Sequence, residues 1–275
     1  MPESFTAEDV EYLRHGDKPL LARLYLPRGA GPFPAVVDVH GGAWVGGDRM
    51  MNRAASEHLA TAGIVVLSLD FRVPPADPYP ASIADINAGI RWLKSHAAKF
   101  GSSAARVGGI GSSSGGQQLM LSAMLPFDPR YAALAVPGAE GIDATIAYAV
   151  ACWPVIDPLA RYRMAKERGL TRLIENHDSY WRSEAAMIDG SPQHVVDRGE
   201  AARLPPTLIL QGTADDNVSP ALSGIFAEAY RKAGGSVELV MFEGQPHTFI
   251  AADPGAPAAQ DALARITSFI LQQAT

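Results

Sequence analysis

Along this chain, short continuous apolar runs alternate with longer stretches in which apolar residues recur every three to four positions. Val10 to Leu13 and Leu20 to Leu26 read as an opening hairpin that turns at His15-Gly16-Asp17. Pro34 to Val39 and Ile64 to Leu69 are apolar runs broken only by Asp38 and Ser68, and read as strands buried on both faces. Between them, Arg53 to Ala62 reads as a helix closed by Gly63. Ser82 to Phe100 places Ile83, Ile86, Ile90 and Leu93 at helical spacing and ends at Gly101. The alternation continues with strands predicted at Arg106 to Ile110, Ile146 to Cys152, Thr207 to Leu210 and Val237 to Phe242. Helices are predicted at Gly115 to Leu125, Ala221 to Ala233 and Ala258 to Gln272. Strand–helix alternation of this kind predicts an α/β fold, with a mainly parallel sheet covered by helices on both faces.

One stretch breaks the rhythm. Pro154 to Leu204, about fifty residues, carries no clear strand and is rich in charge and in aromatics. A stretch of that length inside a compact α/β domain is expected to be a functional insertion. It reads as a small helical cap over the C-terminal edge of the sheet, where such sheets bind ligands, and not as a second domain. The chain is thus expected to form a single domain over 1–275, with the cap-like insertion at about 154–204.

Composition narrows the classes. The 275 residues are 47% apolar and 19% charged, which suits a soluble globular domain and argues against disorder. The formal net charge is −6, with no basic run, so nucleic acid is not an expected partner. No stretch reaches the roughly 18 apolar residues of a membrane span, and no cationic amphipathic face is evident. The first five residues, Met1 to Phe5, lack the basic and apolar regions of a secretory signal. The single cysteine, Cys152, excludes an intrachain disulfide and thiolate metal clusters, and reads as a small buried hydrophobe. A cytoplasmic location is the expectation. The last helix and the edge strand offer surfaces for a homodimer, which nothing in the sequence requires.

The chemistry gathers at four places. Gly111-Ser112-Ser113-Ser114-Gly115 matches G-x-S-x-G between a strand and a helix, the context of a nucleophile elbow. Alone the pentapeptide is a weak signal, since a glycine- and serine-rich helix cap would read the same way. A serine hydroxyl needs a base to take its proton. Of seven histidines, His247 in Gln245-Pro246-His247-Thr248 follows the last strand, while His40 lies before the serine and His15, His58 and His96 fall on a turn and on helices. The orienting acid is expected after an earlier strand, where Asp215 and Asp216 are neighbours. Asp215 is assigned the role, and Asp216 is expected to cap the helix starting near Ser219-Pro220. The order Ser113, Asp215, His247 is that of one of the known serine-hydrolase arrangements. His40-Gly41-Gly42-Ala43-Trp44 follows a central strand, and its small residues let backbone N–H groups approach a developing oxyanion. The expected donors are the N–H groups of Gly42, Ala43 and Ser114. Trp44, Trp153, Tyr162 and Trp181 are candidates for lining an apolar acyl or aryl pocket, with core packing as the other reading. No H-E-x-x-H metal motif, phosphate loop or dinucleotide-binding fingerprint is present.

Taken together with Asp70-Phe71-Arg72, Tyr79-Pro80-Ala81 and Asp85, these motifs resemble the α/β-hydrolase superfamily. Within it, the chain is similar to HGG-type carboxylesterases of the hormone-sensitive-lipase-like and feruloyl-esterase-like groups. The resemblance runs from about Tyr12 to the last helix. It implies the α/β-hydrolase fold, a Ser-His-Asp acyl-enzyme mechanism, a small-molecule ester substrate and no cofactor or metal. It assigns Asp70, Arg72, Tyr79 and Asp85 to bracing. Two departures stand out. Ala43 occupies a position where many such enzymes have a third glycine, and HGGAW also occurs in kynurenine-formamidase-like enzymes, so amide cleavage by the same triad is the alternative. The N-terminal segment is short, so lid and pocket are expected to come mainly from Pro154 to Leu204. Short-chain or aryl esters are the expected substrates.

Overall fold

The structure is a computed structural model that describes residues 4–274. Eight strands form one sheet: β1 Phe5–His15, β2 Lys18–Pro27, β3 Ala35–Val39, β4 Val65–Leu69, β5 Val107–Ser112, β6 Ala149–Cys152, β7 Thr207–Gly212 and β8 Val237–Phe242. Their spatial order is β1-β2-β4-β3-β5-β6-β7-β8. The β1–β2 and β2–β4 pairs are antiparallel, and every pairing from β4 onwards is parallel. The five strands β3 to β7 are buried along their whole length, which is why apolar and small residues dominate them, with Asp38, Ser68, Ser112, Thr207 and Gln211 the buried polar positions. Exposed positions return in β1 and β8, the edge strands.

Two layers of helices cover the sheet. On one face pack α1 (Arg53–Thr61) and α10 (Pro257–Gln273), where Leu59, Ile266 and Ile270 meet Val36, Val66 and Val150. On the other pack α2 (Ala81–His96), α3 (Ser114–Met124) and α8 (Pro220–Lys232), where Ile86, Leu119 and Phe226 meet Val37, Leu67 and Ile209. The fold class expected from the pattern is the one observed. Boundaries differ in instructive ways. The helix predicted to run to Phe100 ends at His96 and tightens into a 3-10 turn, Ala97–Phe100, before the left-handed Gly101. The strand predicted to stop at Ile110 continues through Ser112, because its pairing with β6 extends to Ser112 and Cys152. The strand predicted from Ile146 begins only at Ala149, although Ile146 is itself buried.

Between β6 and β7 the chain forms four helices: α4 Pro158–Glu167, α5 Thr171–Trp181, α6 Glu184–Asp189 and α7 Pro192–Asp197. Local chemistry starts three of them. Asp157, Ser183 and Ser191 accept hydrogen bonds from the N–H groups of Ala160, Ala186 and His194, satisfying donors that a helix start leaves open. These helices have their own apolar cluster, built from Trp44, Val155, Leu159, Tyr162, Tyr180, Trp181, Met187 and Val218.

Asp85 of α2 locks the loop after β4. Its fully buried carboxylate accepts from the backbone N–H of Arg72 at 2.8 Å and from the Arg72 guanidinium at 2.9–3.1 Å, and His15 Nε2 lies 2.9 Å away. Asp85→Asn would leave a partly buried guanidinium facing a neutral amide. Breaking a buried ion pair costs several kcal/mol. We expect Asp85→Asn to lower the unfolding free energy by about 2–4 kcal/mol. Urea unfolding checks this, and a loss below about 0.5 kcal/mol would show that the brace is ornamental.

Candidate active site

The nucleophile candidate sits where β5 turns into α3. Ser113 adopts φ 53°, ψ −120°, outside the regions open to ordinary side chains. Two backbone bonds hold it there: its N–H donates to Cys152 O at 2.9 Å, and its carbonyl accepts from Val155 N–H at 3.1 Å. The turn requires Gly115. A Cβ at that position would land on the carbonyl oxygens of Val39 and His40, at the end of β3. The backbone of α3 therefore lies against the loop that leaves β3.

Ser113 Oγ lies 2.9 Å from His247 Nε2, and His247 Nδ1 lies 2.7 Å from Asp215 Oδ2. A carboxylate can only accept, so Nδ1 carries the proton and Nε2 is left to accept from the Ser113 hydroxyl. Asp215 follows β7 and is nearly fully buried. Its Oδ1 accepts from the N–H groups of Asn217 and Val218, each at 2.9 Å, and its Oδ2 also accepts from Gln211 Nε2 at 2.9 Å. Gln211 is itself fixed by the Ser223 hydroxyl at 3.0 Å. Burial pushes the Asp215 carboxyl up. The His247 hydrogen bond and charge, aided by Val218 N–H and Gln211, outweigh it and hold the group below the usual carboxylate range. His247 follows β8 and precedes a one-turn helix that the sequence pattern does not predict, α9 Phe249–Ala252. The edge of the Trp153 ring stands beside the imidazole, 6.3 Å between centroids.

The neighbouring carboxyl does something else. Asp216 caps no helix: α8 starts after Ser219 with no side-chain cap, and the backbone carbonyl of Asp216 accepts from Arg168 Nη1 at 2.6 Å. The expected capping role is therefore corrected. Pro220 at the first helical position already presets the backbone, so the start does not depend on a cap.

The loop after β3 runs beside the serine. Gly42, Ala43 and Trp44 all have positive φ, at 103°, 50° and 66°. A side chain at Gly42 would collide with the carbonyl of Gly46, so only glycine fits there. Among the described residues, no protein acceptor takes the backbone N–H of Gly42 or Ala43. Trp44 N–H donates to the Ser114 hydroxyl at 3.2 Å, which ties the loop to the first residue of α3. His40 is buried and stacked on Phe71, with ring centroids 4.2 Å apart, and burial lowers its pKa. It holds the loop by its Nδ1 contact to Gly41 O at 2.8 Å and stands apart from Ser113.

A cavity of about 590 Å³ opens over these groups, lined by Gly42, Ala43, Ser113, Trp153 and His247 and by residues of α4 and α5. A second, smaller cavity of about 80 Å³ lies beside it and shares Met51, Asn52, Ser112, Trp153 and Ala251 in its walls. Of the four aromatics expected to line a pocket, Trp153 does so. Trp44, Tyr162 and Trp181 do not. Trp44 is buried, donates to Gln117 Oε1 at 2.7 Å and stacks on Tyr180. Trp181 packs edge-on against Trp44, and the Tyr162 hydroxyl donates to Asp178 at 2.6 Å. Their large apolar faces join the four inserted helices to the loop after β3, which is a better use of that area than solvent contact. Sequence reading missed Arg161, a buried arginine in the cavity wall. Among the described residues, no group of three His, Cys, Asp or Glu side chains stands where it could hold a metal ion, and no helix is long and apolar enough to cross a membrane.

The sheet order and the serine at a strand-to-helix elbow define an α/β-hydrolase fold. The chain belongs to the BD-FAE family, whose model matches residues 23–230. It is similar to esterase LipC of Mycobacterium tuberculosis, 31% identical over 79% of this chain and 53% of LipC. It is also similar to isoprenylcysteine alpha-carbonyl methylesterase ICME of Arabidopsis thaliana, 28% identical over 85% of this chain and 55% of that protein. The chain spans about half the length of the curated relatives it matches. Among solved structures, Thermogutta terrifontis esterase 2 phosphorylated by paraoxon superposes with a TM-score of 0.78 at 27% identity, covering 99% of this chain and 95% of that one. The carboxylesterase EstE1, cloned from a metagenomic library, shares the fold with a TM-score of 0.81 at 22% identity, covering 98% and 90%.

The lowered pKa of Asp215 has a consequence for stability. A carboxyl depressed in the folded state stabilises it above the unfolded-state pKa of about 4, and that contribution disappears as pH falls through the folded value. The difference in unfolding free energy between wild type and Asp215→Asn is therefore expected to be larger near pH 6 than near pH 3. Denaturant titrations at several pH values measure it. A difference that does not change with pH would mean that Asp215 is not held ionised.

Proposed function

We propose that this chain is a hydrolase of carboxylic esters that works through an acyl-enzyme on Ser113. The observation that carries the reading is the continuous relay from Ser113 Oγ to His247 to Asp215, at 2.9 and 2.7 Å, on the wall of an open cavity. In the proposed cycle His247 Nε2 takes the serine proton as Oγ attacks the ester carbonyl. The negative charge that develops on the carbonyl oxygen is met by the N–H groups of Gly42, Ala43 and Ser114. The imidazolium then gives its proton to the leaving alkoxide oxygen, and the alcohol departs. Water attacks the acyl-serine while the same nitrogen accepts its proton, and collapse releases the carboxylic acid and restores Ser113. Asp215 keeps the imidazole in the required tautomer and stabilises its charged form without taking the proton.

The names of the relatives, which include an esterase and a methylesterase, agree with this reading. Helices α4 to α7 are assigned the part of a cap, because α4 and α5 contribute wall residues to the cavity. With only the short helices α4 to α7 to cover it, the site is assigned short-chain or aryl esters, and the protein is assigned to the cytoplasm.

Incubation with paraoxon followed by intact-mass measurement tests the nucleophile. Wild type should gain the mass of one diethylphosphoryl group and lose p-nitrophenyl butyrate hydrolysis, and Ser113→Ala should show neither labelling nor turnover. Labelling that persists in Ser113→Ala would overturn the assignment. On the same substrate, Asp215→Asn should lower kcat by roughly 10³–10⁴, whereas Asp216→Asn should stay within about threefold, because only its backbone is engaged. The reverse ranking would mean that the wrong carboxylate has been chosen. A p-nitroanilide and N-formylkynurenine, assayed alongside, should be turned over orders of magnitude more slowly than the esters, and faster amide cleavage would replace the esterase reading with an amidase.

A further inference from the structure

Arg161, on α4, is only 2% exposed. A buried guanidinium is normally neutralised by a carboxylate, because removing its charge from water is costly. Arg161 has no such partner among the described residues. Its Nε and Nη2 donate to the backbone and side-chain oxygens of Asn217, at 3.2 and 2.5 Å. Its plane lies 5.6 Å from the Trp44 ring centroid. Its Nη1 is buried and makes no hydrogen bond. The residue is part of the wall of the cavity that holds Ser113 and His247.

The groups packed around it leave Nη1 without an acceptor. The Asp215 charge steadies the guanidinium from a distance, but the Asp215 oxygens are taken by His247, Gln211 and two backbone N–H groups, and none bonds to Arg161. His177, on α5, has its pKa lowered to about 4 by burial and by the Arg161 charge, so it is neutral at neutral pH. Burial draws Arg161 itself down to about 10, still far above physiological pH. The remaining polar wall carries the same message. Arg172 and Asn176 of α5 line this cavity with Asn217, and no aspartate or glutamate does. That is a cationic hollow in a chain whose net charge is −6.

We propose that Arg161 recognises a carboxylate carried by the ester substrate, on the part that lies against α4 and α5, with the exposed Arg172 drawing that anion to the cavity mouth. The proposal rests on the esterase reading and deepens it by naming the substrate class: esters that bear a free carboxylate. A carboxylate oxygen supplies the acceptor that Nη1 lacks, and a charge-assisted bond of this kind is worth about tenfold to a hundredfold in affinity. Long-range attraction by Arg172 adds to the association rate and weakens with salt.

Two matched pairs of esters test this. p-Nitrophenyl hexanoate and the mono-p-nitrophenyl ester of adipic acid differ by a carboxylate on the acyl side. Phenyl butyrate and 3-carboxyphenyl butyrate differ by one on the alcohol side. In wild type, the carboxylate-bearing member of at least one pair should have a kcat/KM about tenfold above its neutral partner, and the responding pair identifies the side that faces Arg161. Arg161→Gln should remove that preference, lowering kcat/KM for the anionic ester about tenfold or more beyond any loss on the neutral one. Arg161→Lys, which keeps the charge, should retain part of the preference. Arg172→Gln, at an exposed position with no packing role, should reduce it a few-fold at low salt and less at high salt. Wild type showing no preference for the anionic member of either pair would overturn the proposal. So would an equal loss on both members in Arg161→Gln, which would mean that Arg161 only props the Asn217 loop. Failure of wild type to hydrolyse any of the four esters would overturn the esterase reading and the proposal together, whereas turnover of the neutral esters alone overturns only the proposal.

Discussion

The close approach of α3 to the end of β3 at Gly115 is the constraint on which the rest of the site depends. With no side chain there, the helix backbone sits directly against the carbonyls of Val39 and His40. That contact brings two otherwise independent pieces of chain into register: the elbow that strains Ser113 and the loop that strains Ala43 and Trp44. Unfavourable backbone conformations persist only where the surroundings over-determine them. Here the Ser113 elbow is pinned from both sides by backbone bonds to Cys152 and Val155, and the loop is tied to Ser114 through Trp44 N–H. The sheet's parallel register does the remaining work. It places the ends of β3, β5, β7 and β8 along one edge, so residues far apart in sequence converge there without long reaching segments.

Gln117 carries the same logic into the inserted helices. Its side-chain oxygen accepts from Trp44 Nε1 at 2.7 Å, and its side-chain nitrogen donates to Gly190 O at 2.8 Å. One residue of the nucleophile helix thus bonds to the loop after β3 and to the link between α6 and α7. Trp44 then stacks on Tyr180 and meets Trp181 edge-on, so α5 rests on the same loop. The inserted helices are coupled to the candidate oxyanion donors through packed, hydrogen-bonded aromatics. Trp44 is itself buried among residues of three of these helices, α4, α5 and α6, so it joins them to the loop after β3.

Most of this architecture is legible in the sequence, for identifiable reasons. Strands buried on both faces are mostly apolar, so β3 and β4 stand out in the sequence, each with a single polar residue, Asp38 or Ser68. The elbow and the loop after β3 are legible because their backbone geometry demands glycine at fixed offsets from a strand end. What is not legible is which partner a buried aromatic packs against, and on α4 which way any side chain points, because that helix lacks a strong apolar stripe. Tyr162 and Trp181 look like pocket aromatics by type, and only the fold shows Tyr162 turned to Asp178 and His177 of α5 and Trp181 packed on Trp44 and Tyr79, neither on the cavity. Arg161 is hidden because α4 is crowded with charged residues and shows no clear apolar side. A signal was present: Arg161 falls three residues after Pro158 and four before Ala165, on the buried side of the helix. The short helix α9 is unreadable because four residues hold no period.

Two buried carboxylates near the same sheet edge show how local donors, and not burial alone, decide charge. Asp38 on β3 accepts from Asn52 Nδ2 and from Ser68 Oγ, each at 2.8 Å, and more weakly from Ser56. All its partners are neutral and no cation faces it, so burial dominates and raises its pKa. Asp215 is nearly as buried, yet it faces an imidazole that becomes cationic during the proposed cycle and two backbone N–H groups, and its pKa falls. The difference separates their uses. A carboxyl that drifts toward its neutral form cannot hold an imidazolium, and Asp38 in any case faces α1 through Asn52 and Ser56. Asp215 is held toward its ionised form, so in the proposed cycle its charge is already in place when His247 takes a proton. Arg161 completes the comparison from the opposite sign: it too is buried, but its donors are only partly used and, among the described residues, no carboxylate bonds to it. Of these three buried groups, Asp38 and Asp215 find hydrogen-bond partners for both carboxyl oxygens within the fold, and Arg161 keeps one donor, Nη1, unused.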